Sequence, residues 1–208
     1  NELVLDIGTG SGILAIFAAD KARKVYAVDI NPRAIEFAKS NAVKNDCKNK
    51  IVFLEGNCFE PVKELKFDLI TVNPPFNITP EKAKGALFSD GGSDGLEMIR
   101  EVLKDANNHL NENGIIQIIT LSPGSKNNPL ILEEVQKQIP KCGLEYVNLY
   151  PPIEMNKFLE EIFDKKYTNF TEKFQKLYNT YFYLFITVHR NPSKPFVKEK
   201  KLDVKFKN

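Results

Sequence analysis

The sequence predicts a doubly wound α/β fold, and two observations carry that prediction. The apolar run Leu3-Val4-Leu5-Asp6-Ile7 leads into glycines at alternate positions, Gly8, Gly10 and Gly12, and then into apolar residues at helical spacing from Ile13. That is the pattern of a buried strand, a tight turn and a helix. Three further apolar runs, 24–29, 51–55 and 67–72, are separated by segments of helical periodicity. Parallel strands joined in this way need right-handed crossovers, which put helices against one sheet.

Taken in order, the first helix occupies 13–20. The second strand, 24–29, ends in Asp29, and Asn31-Pro32 then starts a helix over 33–44 with a capping side chain and an early proline. Ile35, Ala38, Ala42 and Val43 share one face of it, as a helix packed on a sheet requires. The third and fourth strands are 51–55 and 67–72. Residues 91–95, Gly-Gly-Ser-Asp-Gly, form a loop, and Asp94 with Glu97 resembles a capping box for a helix over 96–110.

Asn113-Gly114 is expected to turn the chain into a fifth strand at 115–121, followed by a helix over 129–138 and a sixth strand at 144–149. The seventh strand, 181–189, is rich in aromatic and β-branched residues and is expected to run antiparallel. Residues 151–180 are too many for a hairpin turn. Phe158, Leu159, Ile162 and Phe163, then Phe170, Phe174, Leu177 and Tyr178, recur there at helical spacing, which reads as a helical insertion over one rim of the sheet.

With 208 residues, 42% of them hydrophobic, the chain reads as a single domain, 1–208, long enough for a substantial core. No apolar run approaches the roughly 20 residues of a membrane helix, and no signal peptide is expected. Cys47, Cys58 and Cys142 are odd in number and lack metal spacing. They suit a reducing, cytoplasmic setting, and no metal is expected. The first strand lies at the start of a sequence without an initiating Met, so an upstream segment is expected. The stretch from His189 to Asn208 carries seven Lys or Arg against two acids, hence +5, so the +2 of the whole chain leaves −3 for residues 1–188. This basic tail, about 190–208, reads as a solvated, partly disordered terminus, with contact to nucleic acid or another acidic surface as the alternative.

Ligands of doubly wound sheets bind beyond the carboxyl ends of the strands, where strand order reverses. The glycine turn, Asp29 and Asn57-Cys58 all fall at such ends. An acid closing the second strand suits a ribose diol, since a carboxylate can accept from both hydroxyls. The NAD fingerprint would need Gly or Ala at Ile13 and would not call for Asp6 before the turn. The fourth strand closes in Asn73-Pro74-Pro75-Phe76. Its consecutive prolines fix φ, supply no N–H, and bias the residue before each toward extended geometry. The Asn73 side chain and the Pro74 carbonyl are thereby free to accept hydrogen bonds. Two acceptors aimed at the N–H groups of a conjugated nitrogen favour the pyramidal form that develops as it is alkylated, and Phe76 offers a flat apolar face for stacking.

The acid-x-Gly-x-Gly-x-Gly spacing, with Asp29 and the tetrapeptide, resembles the class I S-adenosylmethionine-dependent methyltransferases from Leu3 to about residue 121 and, more loosely, beyond. The resemblance implies a Rossmann-like, seven-stranded sheet with S-adenosylmethionine as cofactor. Gly8, Gly10 and Gly12 would pass beneath its methionine part. Asp6 would shape the turn and meet the amino group through water. Asp29 would hold the ribose, Ile30 would pack on the adenine, and Asn57 with the Cys58 backbone would meet the adenine edge. The family usually has Asp where Asn57 stands.

Tetrapeptides of this kind resemble those of enzymes that methylate exocyclic amino groups of nucleic-acid bases or the side-chain amide of glutamine. Gly91-Gly92-Ser93-Asp94-Gly95-Leu96 and Phe59-Glu60-Pro61-Val62 further resemble the HemK-type glutamine methyltransferases. Phe76 replaces their Tyr, no counterpart of their N-terminal helical domain lies within these 208 residues, and the insertion at 151–180 is additional. The resemblance therefore implies a release-factor-like protein as partner. An exocyclic amine of ribosomal RNA, a small molecule or peptide, and a non-catalytic scaffold are the alternatives.

Overall fold

The computed structural model describes residues 2–80, 89–126 and 128–202. Its first half runs β1 (Leu3–Ile7), α1 (Ile13–Lys21), β2 (Lys24–Asp29), α2 (Pro32–Lys44), β3 (Ile51–Glu55) and β4 (Phe67–Val72). Then follow α3 (Glu97–Ala106), β5 (Leu110–Ser125), β6 (Asn128–Pro129), α4 (Leu130–Gln138), β7 (Gly143–Asn148), β8 (Ile153–Glu154), α5 (Met155–Ile162), α6 (Thr168–Leu177), β9 (Thr180–His189) and β10 (Phe196–Glu199). The long path through the sheet is β10-β7-β9-β5-β4-β1-β2-β3, with β6 on β5 and β8 on β9. Strand order reverses between β1 and β4, both parallel to their neighbours in this half.

The doubly wound α/β class is as predicted, but among the described residues the sheet has ten strands rather than seven. Two of the additions are two-residue strands, β6 and β8. The third, β10, lies inside the supposed disordered tail, where Phe196 to Glu199 pair in parallel with Gly143 to Tyr146. Lys200 Nζ meets Glu145 Oε2 at 2.5 Å, so a basic residue of the tail is tied to the sheet. Asn113-Gly114 is not a turn: β5 runs through it, and the register shifts between Phe67 and Leu69. Gly114 lies against the Phe67 carbonyl, and its own carbonyl accepts from Arg190 N. The extra residues are absorbed as an irregularity in one long strand. Helix α3 stops at Ala106, because Asn107 and Asn108 are poor helix formers and Asn108 bonds back to Asp105.

β9 runs antiparallel to both β5 and β7 and lies between them. On one face of the sheet, Ile99, Val102 and Leu103 of α3 and Ile131, Leu132 and Val135 of α4 bury against Leu5, Ile7, Ile70 and Ile116. On the other, small residues let α1 lie close, Ala15 and Ala19 packing with Val4 and Val25. Asn31 caps α2 by accepting from Arg33 N at 3.0 Å, with Pro32 in the first turn. Residues 151–180 supply α5 and α6, whose Met155, Leu159 and Phe174 enclose Ile78 and Tyr181. Among the described residues no helix is long and apolar enough to cross a membrane.

Candidate active site

The glycine turn after β1 is built on positive φ, +67° at Gly8, +54° at Gly10 and +83° at Gly12, a region that costs glycine nothing. The N–H groups of Gly8 and Thr9 both donate to Val28 O, at 2.9 and 3.0 Å, which ties the turn to β2. Gly12 does not border the cavity described below. A Cβ there would stand 2.9 Å from the Ala38 Cβ, so this glycine lets α1 pack on α2 rather than passing under a ligand.

Asp6 is also turned inward, 1% exposed, accepting from Thr9 Oγ1 at 2.7 Å and Thr71 Oγ1 at 2.8 Å. It joins β1, the turn and β4, and it does not border the cavity. Burial pushes its carboxyl up to about 6, against the hydroxyls that favour the charged form. The folded chain therefore binds more protons than the unfolded one between pH 3.8 and about 6. This group's stabilising contribution is full below that window and is lost as pH rises through about 6. Thermal denaturation of Asp6→Asn is expected to show a flatter pH dependence across the window. An unchanged profile would place the titration elsewhere.

The carboxyl ends of β1 to β4 enclose a cavity of about 530 Å³, within the range of cofactor sites. Gly8 and Gly10 form its floor, and Asp29 and Ile30 one wall. Asp29 accepts from Gly10 N through Oδ2 and from Asn31 N through Oδ1, each at 2.9 Å. Each oxygen keeps a further lone pair, which is what two ribose hydroxyls require. Ile30 is 54% exposed beside it. Asn57 and Cys58 close the far end, with the Asn57 amide donating to Glu101 Oε1 at 2.6 Å. Burial and the nearby Glu101 push the Cys58 thiol up to about 12, so it offers surface rather than a nucleophile.

Among the lining residues that the sequence reading does not include are Glu97, Met98 and Glu101, all from α3. Their signal was the polar i, i+4 spacing of Glu97 and Glu101 opposite the buried Ile99, Val102 and Leu103. The capping-box expectation obscured it. In the structure Asp94 Oδ1 accepts from Leu96 N, Glu97 N donates to Gly91 O, and the Glu97 side chain borders the cavity.

From the tetrapeptide, Asn73 and Pro75 border the cavity, Pro74 is buried, and Phe76 stands outside it. The Phe76 ring lies 6.5 Å from that of Tyr183, which stacks on Tyr150 at 5.7 Å. Tyr150 is 64% exposed, so a row of rings leads from Phe76 out to solvent. The cavity thus has groups that suit a nucleoside: a carboxylate with free lone pairs for a diol, the apolar Ile30 and Met98, and an amide at its far end. At Gly10 a Cβ would find only Gly8 O within 4 Å, at 3.9 Å, so any side chain would occupy ligand space. Among the described residues no group of three or more His, Cys, Asp or Glu could hold a metal ion.

A family model described as methyltransferase small domain matches residues 1–141. A putative protein N5-glutamine methyltransferase of Methanocaldococcus jannaschii is 40% identical over 127 residues, 59% of this chain and 63% of that protein. The release factor glutamine methyltransferase of Aquifex aeolicus is 32% identical over 149 residues, 67% of this chain and 52% of the relative. The chain thus spans between about half and two thirds of these curated relatives. Among solved structures, a ribosomal protein L11 methylase from Lactobacillus delbrueckii subsp. bulgaricus superposes with a TM-score of 0.55 at 19% identity, covering 92% of this chain and 71% of the other. At that identity it is the fold that is shared.

Proposed function

Because the chain belongs to the methyltransferase small domain family, we propose that it is an S-adenosylmethionine-dependent N-methyltransferase whose acceptor is a glutamine side chain of a protein. One observation carries the reading. Asn73 borders the cavity, and three residues further along the chain Phe76 begins the Phe76–Tyr183–Tyr150 row, so an acceptor group on the cavity rim is followed directly by a run of aromatic faces. The names of the two relatives, both glutamine methyltransferases, support the choice of acceptor.

When bound, S-adenosylmethionine supplies an electrophilic methyl on a sulfonium whose sulfur keeps the electron pair of the broken bond. The protein's contribution is orientation and hydrogen bonding. The Asn73 carboxamide oxygen and the Pro74 carbonyl accept the two N–H groups of the substrate amide. That weakens conjugation and leaves the nitrogen lone pair to form the N–C bond. Phe76 and Tyr183 offer ring faces on which the planar amide stacks. The nitrogen sheds one proton after transfer, when it has become acidic, so water suffices as its acceptor.

The test is transfer of tritium from methyl-labelled cofactor into a cell extract, followed by nuclease or protease treatment. Label should survive nuclease, be released by protease, and appear as N5-methylglutamine on hydrolysis under conditions that preserve the amide. Loss of label with nuclease would assign the activity to nucleic acid, and absence of label in every fraction would favour a scaffold.

A further inference from the structure

We propose that Arg100 is a positioning residue for the tetrapeptide, acting through the 91–95 loop; the inference rests on the reading of Asn73 to Phe76 as the reacting segment. Arg100 donates to both oxygens of Asp94, through Nη1 at 3.0 Å and Nη2 at 2.5 Å. Its Nε meets Glu134 Oε1 of α4 at 3.2 Å. The Asp94 and Glu134 side chains are only 15% and 16% exposed, so the fork is largely removed from solvent. Asp94 Oδ1 accepts from Leu96 N as well. A planar guanidinium bound edge-on to a carboxylate fixes direction as well as charge. Here it clamps the end of the loop to α3 and α4.

The other side of that loop carries the tetrapeptide. Gly91 N donates to Asn77 O at 2.9 Å, and Thr79 N to Gly92 O at 2.8 Å. Gly95 adopts φ +80°, and a Cβ on it would stand 2.5 Å from Phe76 O; one on Gly91 would stand 2.8 Å from Phe76 Cα. From the opposite side the Tyr181 hydroxyl donates to Phe76 O at 3.4 Å. The Phe76 backbone therefore lies against two glycines and a buried tyrosine, and Arg100 fixes Asp94, the residue that precedes one of those glycines. A displacement of about 1 Å in a reacting group can cost on the order of 100-fold in rate. Arg100 is not itself among the residues lining the cavity, and of its two carboxylate partners, Asp94 and Glu134, it is Asp94 that belongs to the loop against Phe76.

Arg100→Gln and Asp94→Asn should each lower the maximal rate of tritium transfer into extract protein by about 10- to 100-fold. The half-saturating cofactor concentration and the calorimetric Kd for S-adenosylmethionine should stay within about threefold. Arg100→Lys keeps the charge but loses the fork, so it should recover the thermal midpoint and not the rate. Hydrogen–deuterium exchange should speed up at Asn77, Thr79 and Gly91 in all three variants, while the 3–14 segment stays protected. Unaltered exchange at those amides would overturn the proposal. So would a parallel loss of cofactor affinity and rate, or full rescue by Lys. If the parent chain labels no protein, the glutamine reading fails, and the exchange arm still decides whether Arg100 positions this segment.

Discussion

Replacing Asn73 with alanine is expected to lower kcat by roughly 10²- to 10³-fold, the range seen when one group stabilising a transition state is removed. Cofactor affinity should stay within about threefold, measured by titration calorimetry. The asymmetry follows from position. Asn73 is exposed at the cavity border after β4, while the Asp29 wall and the Asn57 end are built by other elements. Its carboxamide is worth most when the substrate nitrogen becomes pyramidal, and little when only the cofactor is bound. Turnover equal to that of the parent would refute the role given to Asn73.

Asp29→Ala should produce the opposite pattern, a loss of at least 100-fold in affinity for S-adenosylmethionine. Two charge-assisted hydrogen bonds to the ribose disappear, each worth about 1.5–3 kcal/mol, and 100-fold corresponds to about 2.8 kcal/mol. The backbone N–H groups of Gly10 and Asn31 lose their acceptor as well, which loosens the turn itself. Gly10→Val attacks the same site sterically, placing a branched side chain in ligand space at φ +54°. Calorimetry should detect no binding to either variant. Tight binding of NAD by the parent chain would overturn the assignment of the pocket.

The parts of this molecule legible in its sequence are those where local pattern and tertiary role coincide. Strands β1 to β4 are buried apolar runs bounded by turns, and α2 declares its start through Asn31-Pro32. Gly8, Gly10, Asp29, Ile30, Asn57, Cys58 and Asn73 all border one cavity because a strand end is a fixed place in this topology. Where one residue type serves two purposes, the sequence is ambiguous. Gly12 carries the same spacing as Gly10 but answers to Ala38, and Asp6 answers to two threonines. Asn113-Gly114 has the composition of a turn, yet pairing with β4 and β9 overrides it. Glu97 and Glu101 look like an ordinary solvated helix face until the fold brings that face over the cavity.

The placement of β9 between β5 and β7 has a consequence for how the protein is made. Synthesis proceeds from the N-terminus, and domains tend to fold as their parts emerge. Here the strand that closes the sheet is encoded after both of its neighbours, its pairings reaching from Ile115↔His189 to Gly124↔Thr180 on one side and Gly143↔His189 to Asn148↔Leu184 on the other. A nascent chain that stops short of residue 180 has two strands facing an empty slot. Such unpaired edges invite strands from other chains. Tyr181 and Tyr183 arrive only with the closing strand, so a chain that ends before it lacks the wall against which Phe76 is set. Premature termination or slow emergence of this strand should expose the half-built sheet to aggregation rather than yield a partly active enzyme.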